Sequence, residues 1–218
     1  MKKFWILLVT TLLLACSATF PGGPWSYSPI TTPAGFAAVL ADKPQDVEPG
    51  LYLYRNPRTR KAVESFYVSV TGSREISLPI LHYASANNIP LPLAFALAWG
   101  ESFFNVRASN RNPHSVDRGL FQLNSKTFSF LSIEELYNPE ISARYGLKHL
   151  RFCLNEGSSE LVALAMYNAG TFKVRKGTPY STLQHIARIL EYREQLEDSF
   201  LQTLTASSWI ARLSEMIL

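Results

Sequence analysis

From residue 73 onward, apolar residues recur at three- and four-residue steps, which is the repeat of helices with one buried face. In "LPLAFALAWGES", for example, Leu93, Leu97 and Glu101 fall on one stripe. Similar spacing returns in "NPEISARYGLKHLRFCL", "SSELVALAMYNAG" and "STLQHIARILEYREQLEDSFLQTL". This part of the chain sustains no alternation of the strand type. The pattern predicts a mostly α domain with little or no sheet.

Helix boundaries are marked by capping residues. Ser73 is a candidate N-cap, and Asn138 precedes a proline and an acid that suit a first helical turn. Ser158 or Ser159 caps the next helical run, which stops at Gly170. By contrast, "KAVESFYVSV" is compatible with a helix or a strand, because its β-branched and aromatic residues favour both.

The N-terminus, "MKKFWILLVTTLLLACSATF", has two lysines followed by an apolar run over residues 4–15. That run is too short to span a bilayer comfortably but suits an export signal. It ends in "LLAC", which resembles a bacterial lipobox, where the signal is cut before the cysteine and Cys16 is lipidated. The alternative is an ordinary secretory signal. We expect a lipid-anchored envelope protein, and Ser17 favours the outer membrane, facing the periplasm.

Shifts in composition divide the chain into five predicted segments. Residues 17–35 hold four prolines and three glycines, which is typical of a tether. The predicted segments are a lipoprotein signal peptide at 1–15, a lipid-anchored tether at 16–35, an N-terminal extension of unassigned structure at 36–72, the main helical domain at 73–198 and a C-terminal helical tail at 199–218.

Charge and ligand chemistry exclude several classes of function. The formal net charge is +4, and removal of Lys2 and Lys3 with the signal leaves +2, too little to indicate nucleic-acid binding. No phosphate loop is visible, and the histidines lack ligand spacing, so no metal or other cofactor is expected. Cys153, in an apolar helical run, is predicted to be a buried small hydrophobe. The histidines are His82, His114, His149 and His185.

Glu101 is the chemically unusual residue of the helical pattern. It continues an apolar stripe and is flanked by Trp99, Phe103 and Phe104, so it should be poorly solvated. Poor solvation disfavours the charged carboxylate, and a protonated carboxyl is what a general acid for glycosidic bonds needs. The alternative is a structural role, such as capping a neighbour or pairing with a nearby arginine.

The stretch "ESFFNVRASNRNPHSVDRGLFQLNS" resembles the catalytic stretch of the lysozyme-like superfamily. Animal c-type lysozymes and bacterial soluble-type lytic transglycosylases both carry it, the latter with "GLMQ" where this chain has "GLFQ". Two downstream segments, "LYNPEISARYGLKHL" and "ALAMYNAG", are similar to transglycosylase segments that c-type lysozymes lack. The segment "TPYSTLQHIARIL" departs from the family's "PxETxxYV", since Thr182 and Leu183 replace "ET" and Ile186 stands near the family's Tyr. The resemblance covers residues 73–196.

This resemblance implies a lytic transglycosylase with an SLT domain, similar to glycoside hydrolase family 23. Such lyases cleave the β-1,4 bond between N-acetylmuramic acid and N-acetylglucosamine in peptidoglycan. By resemblance, Glu101 would be the catalytic acid and then the base, giving a 1,6-anhydro end, and Tyr167 would hydrogen-bond and orient it. The resemblance implies substrate-binding roles for Ser102, Asn110, Ser115, Asp117, Gln122, Tyr167 and Asn168.

Asp117 leaves the reaction open. It could be the second carboxylate of a hydrolytic muramidase, or a loop acid that binds backbone N–H groups, a nearby arginine or substrate. We favour the second role, because the downstream segments belong to enzymes that need one acid. A third alternative is a non-catalytic glycan-binding lipoprotein.

The expected partners follow from the two resemblances, to lytic transglycosylases and to a lipobox. They are peptidoglycan glycan strands and, through lipid on Cys16, the membrane. Envelope or secretion machinery stays an open partner class, and nucleic acid is not expected.

Overall fold

The computed structural model describes residues 32–217, and the surroundings of side chains up to residue 203. The predicted signal peptide, Cys16 and most of the tether lie outside this range. Helix α1 (Pro33–Ala41) begins within the last three residues assigned to the tether. Helices α2 (Pro49–Arg55) and α3 (Arg60–Thr71) follow, so the extension that sequence reasoning left unassigned is helical.

The remaining elements confirm a mostly α fold with a small sheet. Helix α10 passes without a break through the predicted boundary at residue 198. In chain order the elements are α4 (Arg74–Ala86), α5 (Leu91–Ser102), β1 (Ser109–Asn112), β2 (Ser115–Arg118), β3 (Leu123–Asn124), α6 (Ile133–Tyr137), α7 (Pro139–Glu156), α8 (Glu160–Ala169), α9 (Thr171–Lys176) and α10 (Tyr180–Ile217).

Several helices begin where their capping residues predict. The Asn138 side chain accepts from the Ile141 amide, with Pro139 as the first residue of α7. Ser159 caps α8 in the same way, through the Val162 amide. Ser73 holds the N-cap position of α4, but its side chain makes no capping hydrogen bond.

The sheet is antiparallel, in the order β1-β2-β3. Its register sets Asp117 beside Asn110 on one side and Asn124 on the other. Gly119, directly after β2, has φ +77°, and a Cβ there would overlap the Leu136 carbonyl oxygen. Only glycine combines that left-handed conformation with so close an approach.

Helix α5 runs through the core, and its residues 91–98 are all buried. The Tyr67 ring of α3 stacks on Phe95 of α5 with centroids 4.0 Å apart. Phe200 of α10 packs edge-on against Phe66 at 5.0 Å, which extends the aromatic cluster to a third helix. Burial of one aromatic ring stabilises the folded state by about 2–3 kcal/mol. These ring contacts therefore make α3 part of the core.

Glu48 ties the N-terminal extension to α5. One carboxylate oxygen accepts from the Gly50 amide at 2.6 Å, and the other accepts from Leu51 at 2.8 Å and Leu91 at 3.3 Å. It therefore caps α2 and also satisfies an amide at the start of α5, where Pro90 offers no side-chain cap.

Within residues 32–217, no helix is both long and apolar enough to cross a bilayer. Cys153 is buried and carries a free thiol, which confirms its predicted place in the interior. Burial raises the pKa of this thiol to about 11. Few molecules will therefore carry the reactive thiolate near neutral pH.

Candidate active site

A cleft of about 1070 Å³ opens between the sheet and the segment from α8 to α10. It brings together all but one of the residues that sequence reasoning assigned to catalysis or substrate binding. The predicted residues that line it are Glu101, Asn110, Ser115, Asp117, Gln122, Tyr167 and Asn168. They come from α5, both longer strands, the turn before β3 and the end of α8, so the fold assembles one polar surface from distant segments.

Ser102 is the predicted residue that does not line the cleft. Its side chain is 5% exposed, and its hydroxyl lies 2.8 Å from the Leu120 carbonyl oxygen and 3.0 Å from that of Ala98. This replaces the expected substrate contact with a structural one. Ser102 fastens the last turn of α5 to the segment that leads to Gln122, and so holds the turn that carries Glu101.

Left-handed backbone surrounds this end of α5. Phe103 and Phe104, which follow the helix, have φ of +53° and +60°, and Gln122 has +46°. Bulky side chains rarely adopt this region, and such strained positions cluster at functional sites. The Gln122 side chain donates to the Gly119 carbonyl at 2.9 Å. The short turn between β2 and β3 is thereby closed on itself beside the cleft.

Glu101 lies at the cleft wall with 10% of its side chain exposed. Its Oε1 is 3.2 Å from Nε2 of His185, a residue of α10 that is 14% exposed. Sequence reasoning missed His185 by treating it as one of four scattered histidines. Its spacing carried a signal, since Thr182, His185, Ile186 and Ile189 share the buried stripe of α10.

Tyr167 lies close to Glu101 but does not have the partner that was predicted. Its hydroxyl donates to the Phe121 carbonyl at 2.9 Å, so it supports the main chain just before Gln122. Burial raises the pKa of the Tyr167 hydroxyl well above its usual value, and the nearby Glu101 carboxylate adds to that rise. Tyr167 thus stays a neutral donor, and the side chain in contact with Glu101 is His185.

In α10, Thr182 and Ile186 depart from the family's "PxETxxYV" segment, and both side chains are buried. Thr182 is 3% exposed, and its hydroxyl donates to the Asn168 side-chain oxygen at 2.8 Å. This bond fixes the orientation of Asn168 at the cleft. Ile186 is buried in the core, so it offers no polar group to a sugar.

Asp117 is held by amide groups on the sheet. Asn112 donates to its Oδ2 and Asn124 to its Oδ1, both at 2.7 Å. Asn124 also donates to the Ser115 hydroxyl at 2.8 Å. No ion pair joins Asp117 to an arginine in the described part of the chain. Sequence reasoning placed neither Asn112 nor Asn124 in the site, although both lie in the motif.

Two lysines and a histidine also line the cleft. They are Lys126, Lys173 and His149, and Phe128 lines it as well. The His149 ring packs 5.1 Å from that of Tyr167, and burial lowers the pKa of His149. In residues 32–217, no three histidine, cysteine or acidic side chains group as metal ligands would.

A sequence model of the transglycosylase SLT domain matches residues 79–188. The chain belongs to this family. SLT domains are found in lytic transglycosylases, enzymes that act on peptidoglycan. The matched segment runs from α4 into α10 and contains every cleft-lining residue named above, whereas α1 to α3 precede it. A comparison with curated proteins yields no match.

Proposed function

We propose that this SLT-family protein cleaves the β-1,4 bond between N-acetylmuramic acid and N-acetylglucosamine without water, leaving a 1,6-anhydromuramoyl end. The observation that carries the proposal is the unequal state of the two cleft acids. Glu101 contacts one titratable side chain, whereas both oxygens of Asp117 accept hydrogen bonds from amides. One acid is thus available for proton transfer and the other is already occupied.

In the first step, protonated Glu101 gives its proton to the oxygen that leaves as the C4 hydroxyl of N-acetylglucosamine. The bond from muramic acid C1 to that oxygen breaks, and the substrate's own N-acetyl group stabilises the positive centre. In the second step, the Glu101 carboxylate takes the proton of the C6 hydroxyl as that oxygen bonds to C1. Glu101 ends protonated, and no water is consumed.

Hydrolysis by a Glu101 and Asp117 pair is the second candidate. A retaining glycosidase needs its second carboxylate free to attack C1, about 5 Å from the acid. The bonds from Asn112 and Asn124 oppose such a role, because Asp117 would have to give up at least one of them. A non-catalytic glycan-binding role is less favoured, since Glu101, Gln122 and Tyr167 are all retained around the cleft.

The test is digestion of purified peptidoglycan, with the muropeptides read by mass spectrometry. Anhydro ends are expected. Reducing ends, heavier by one water, would instead support the hydrolytic muramidase. Products from neither reaction would support the non-catalytic alternative. Glu101→Gln, prepared in parallel, serves as the control for contaminating activity.

We further propose that the protein is anchored in the cell envelope through lipid on Cys16, at the outer membrane and facing the periplasm. The support is the short apolar run after two lysines and the "LLAC" sequence that ends it. In fractionated bacteria, Cys16→Ser should move the protein out of the membrane fraction. Retention of that variant in the membrane would contradict lipid anchoring at this residue.

A further inference from the structure

Glu101 has to act twice in the proposed reaction, and its carboxyl must present an oxygen to the substrate at both moments. In the described part of the chain, its side-chain hydrogen-bond partner is His185, which contacts Oε1. Tyr167, the partner expected from the family resemblance, uses its hydroxyl on the Phe121 carbonyl. Among the described residues, no hydrogen bond to Glu101 Oε2 accompanies the His185 contact. One oxygen is thus held and the other is left for the substrate.

We infer that His185 is a positioning residue for Glu101, an assignment that rests on the proposed function. The Nε2–H group of His185 donates to Oε1 and fixes the rotation of the carboxyl, so that Oε2 meets the glycosidic oxygen and then the C6 hydroxyl. In this role His185 itself transfers no proton. The proton that moves belongs first to Glu101 and then to the substrate.

The contact is produced by a close approach of two helices. A Cβ on Gly100 would lie 2.5 Å from Cγ1 of Ile189 and 3.6 Å from Cε1 of His185. Ile189 is buried, so it has little freedom to move away. The missing side chain of Gly100 is therefore what lets α10 come near enough for His185 to reach the neighbouring Glu101.

The same face of α10 continues to pack on the end of α5. Two turns beyond His185, the Tyr192 ring stacks on Trp99 with centroids 4.3 Å apart and an angle of 14° between the planes. His185, Ile189 and Tyr192 are spaced as one helical stripe, set against Trp99, Gly100 and Glu101. Because this stripe is packed at its middle and at its far end, the His185 ring has a defined place.

The hydrogen bond also changes strength during the reaction. Before the first proton transfer, Oε1 belongs to a neutral carboxyl, and afterwards to a carboxylate. A hydrogen bond to an ionised oxygen is roughly twice as strong as one between neutral groups. In the first step His185 therefore stabilises the charge that develops on Glu101 more than it stabilises the starting state. This difference is the condition for accelerating that step.

Two substitutions separate the hydrogen bond from the bulk of the ring. His185→Leu keeps an apolar side chain and removes the donor, whereas His185→Gln keeps an N–H donor. We expect His185→Leu to lower kcat for release of anhydro products by about 10- to 100-fold, with KM within about twofold. His185→Gln should stay within about threefold of the wild-type kcat. His82→Ala, on an exposed histidine outside the cleft, is the matched control and should leave kcat unchanged.

The proposal is overturned if His185→Leu keeps the wild-type kcat, or if His185→Gln loses as much as His185→Leu while both unfold at the wild-type temperature. A second measurement does not depend on activity. In ¹H–¹⁵N spectra of the histidine rings, Glu101→Gln should shift the His185 resonances and leave those of His82 in place. Unshifted His185 resonances would contradict the contact. Absence of anhydro products from the wild type would count against the proposed reaction, not against the contact.

Discussion

The two carboxylates of the cleft lie on walls built in different ways. Glu101 ends a buried helix, and its partner His185 is 84 residues away in the chain. Asp117 lies on a short strand, and its partners Asn112 and Asn124 are five and seven residues away. On the helical wall the acid has one side-chain hydrogen-bond partner, whereas on the sheet wall the acid is held by two amide donors. In the proposed mechanism, these partners, more than the acids themselves, decide which of the two groups can exchange a proton.

The strongest test of this comparison is Glu101→Gln. The amide cannot donate a proton to the leaving oxygen or accept one from the C6 hydroxyl, so anhydro product should fall by about 10³-fold or more. The measurement is mass spectrometry of muropeptides from purified peptidoglycan. The thermal unfolding temperature, followed by circular dichroism, is the control for folding. Retention of activity would contradict the role of Glu101.

A second test loosens the helical wall alone. Gly100→Ala should push α10 away from α5, costing about 1–3 kcal/mol of unfolding free energy. Displacement of His185 should also lower activity by about tenfold or more. Both quantities can be read from denaturant unfolding and product release.

If the overlap with Ile189 causes the destabilisation, the double substitution Gly100→Ala and Ile189→Ala should lower the unfolding free energy by less than the sum of the two single substitutions. Fully additive losses of unfolding free energy would show that the overlap with Ile189 is not the cause.

A third test addresses the sheet wall. Asp117→Asn leaves one of the two amide donors facing another amide, so unfolding free energy should fall by about 1–2 kcal/mol. Since the proposed mechanism assigns no proton transfer to Asp117, the variant should keep more than about a tenth of the wild-type activity. Anhydro product and unfolding are measured on the same samples. An activity loss as deep as that of Glu101→Gln would abolish the distinction between the two acids.

The smallest effect on activity is expected for Ser102→Ala. This substitution removes a hydroxyl that links α5 to the Leu120 carbonyl, outside the cleft. Unfolding free energy should fall by about 1 kcal/mol, with activity within about twofold of wild type. Ser69→Ala, which removes a hydroxyl on the outer surface of α3, gives the matched stability control. A large rise in KM for Ser102→Ala would restore the substrate contact that the structure does not support.

Local signals in the sequence were sufficient for much of the fold. The helical repeat and the capping residues Asn138 and Ser159 predict a mostly α domain, because they act on neighbours within a few residues, and the structure confirms that class. The sheet was harder to predict, since its strands are two to four residues long and mostly polar. The pattern left the extension unassigned, because the buried face of α3 packs against rings that are distant in the chain, Phe95 and Phe200.

For the candidate site too, local features could be predicted from the sequence, whereas contacts between distant segments could not. Motif order brought Glu101 and most of the polar cleft residues together, since they belong to a few contiguous segments. The partners of those residues could not be derived in this way. The contacts of Tyr167 with Phe121, and of His185 with Glu101, depend on how α8 and α10 pack against segments dozens of residues earlier.

Glu48 has a consequence for how the catalytic unit can be moved between proteins. Its carboxylate serves the first turns of both α2 and α5, yet it lies well before the segment that the family recognises. A chimera that transplants residues 79–188 alone would lack the Glu48 carboxylate that accepts from the Leu91 amide. It would also lack the Tyr67 ring that stacks on Phe95. We therefore expect the smallest portable unit to include the extension, with the recognised family segment as the part of it that lines the cleft.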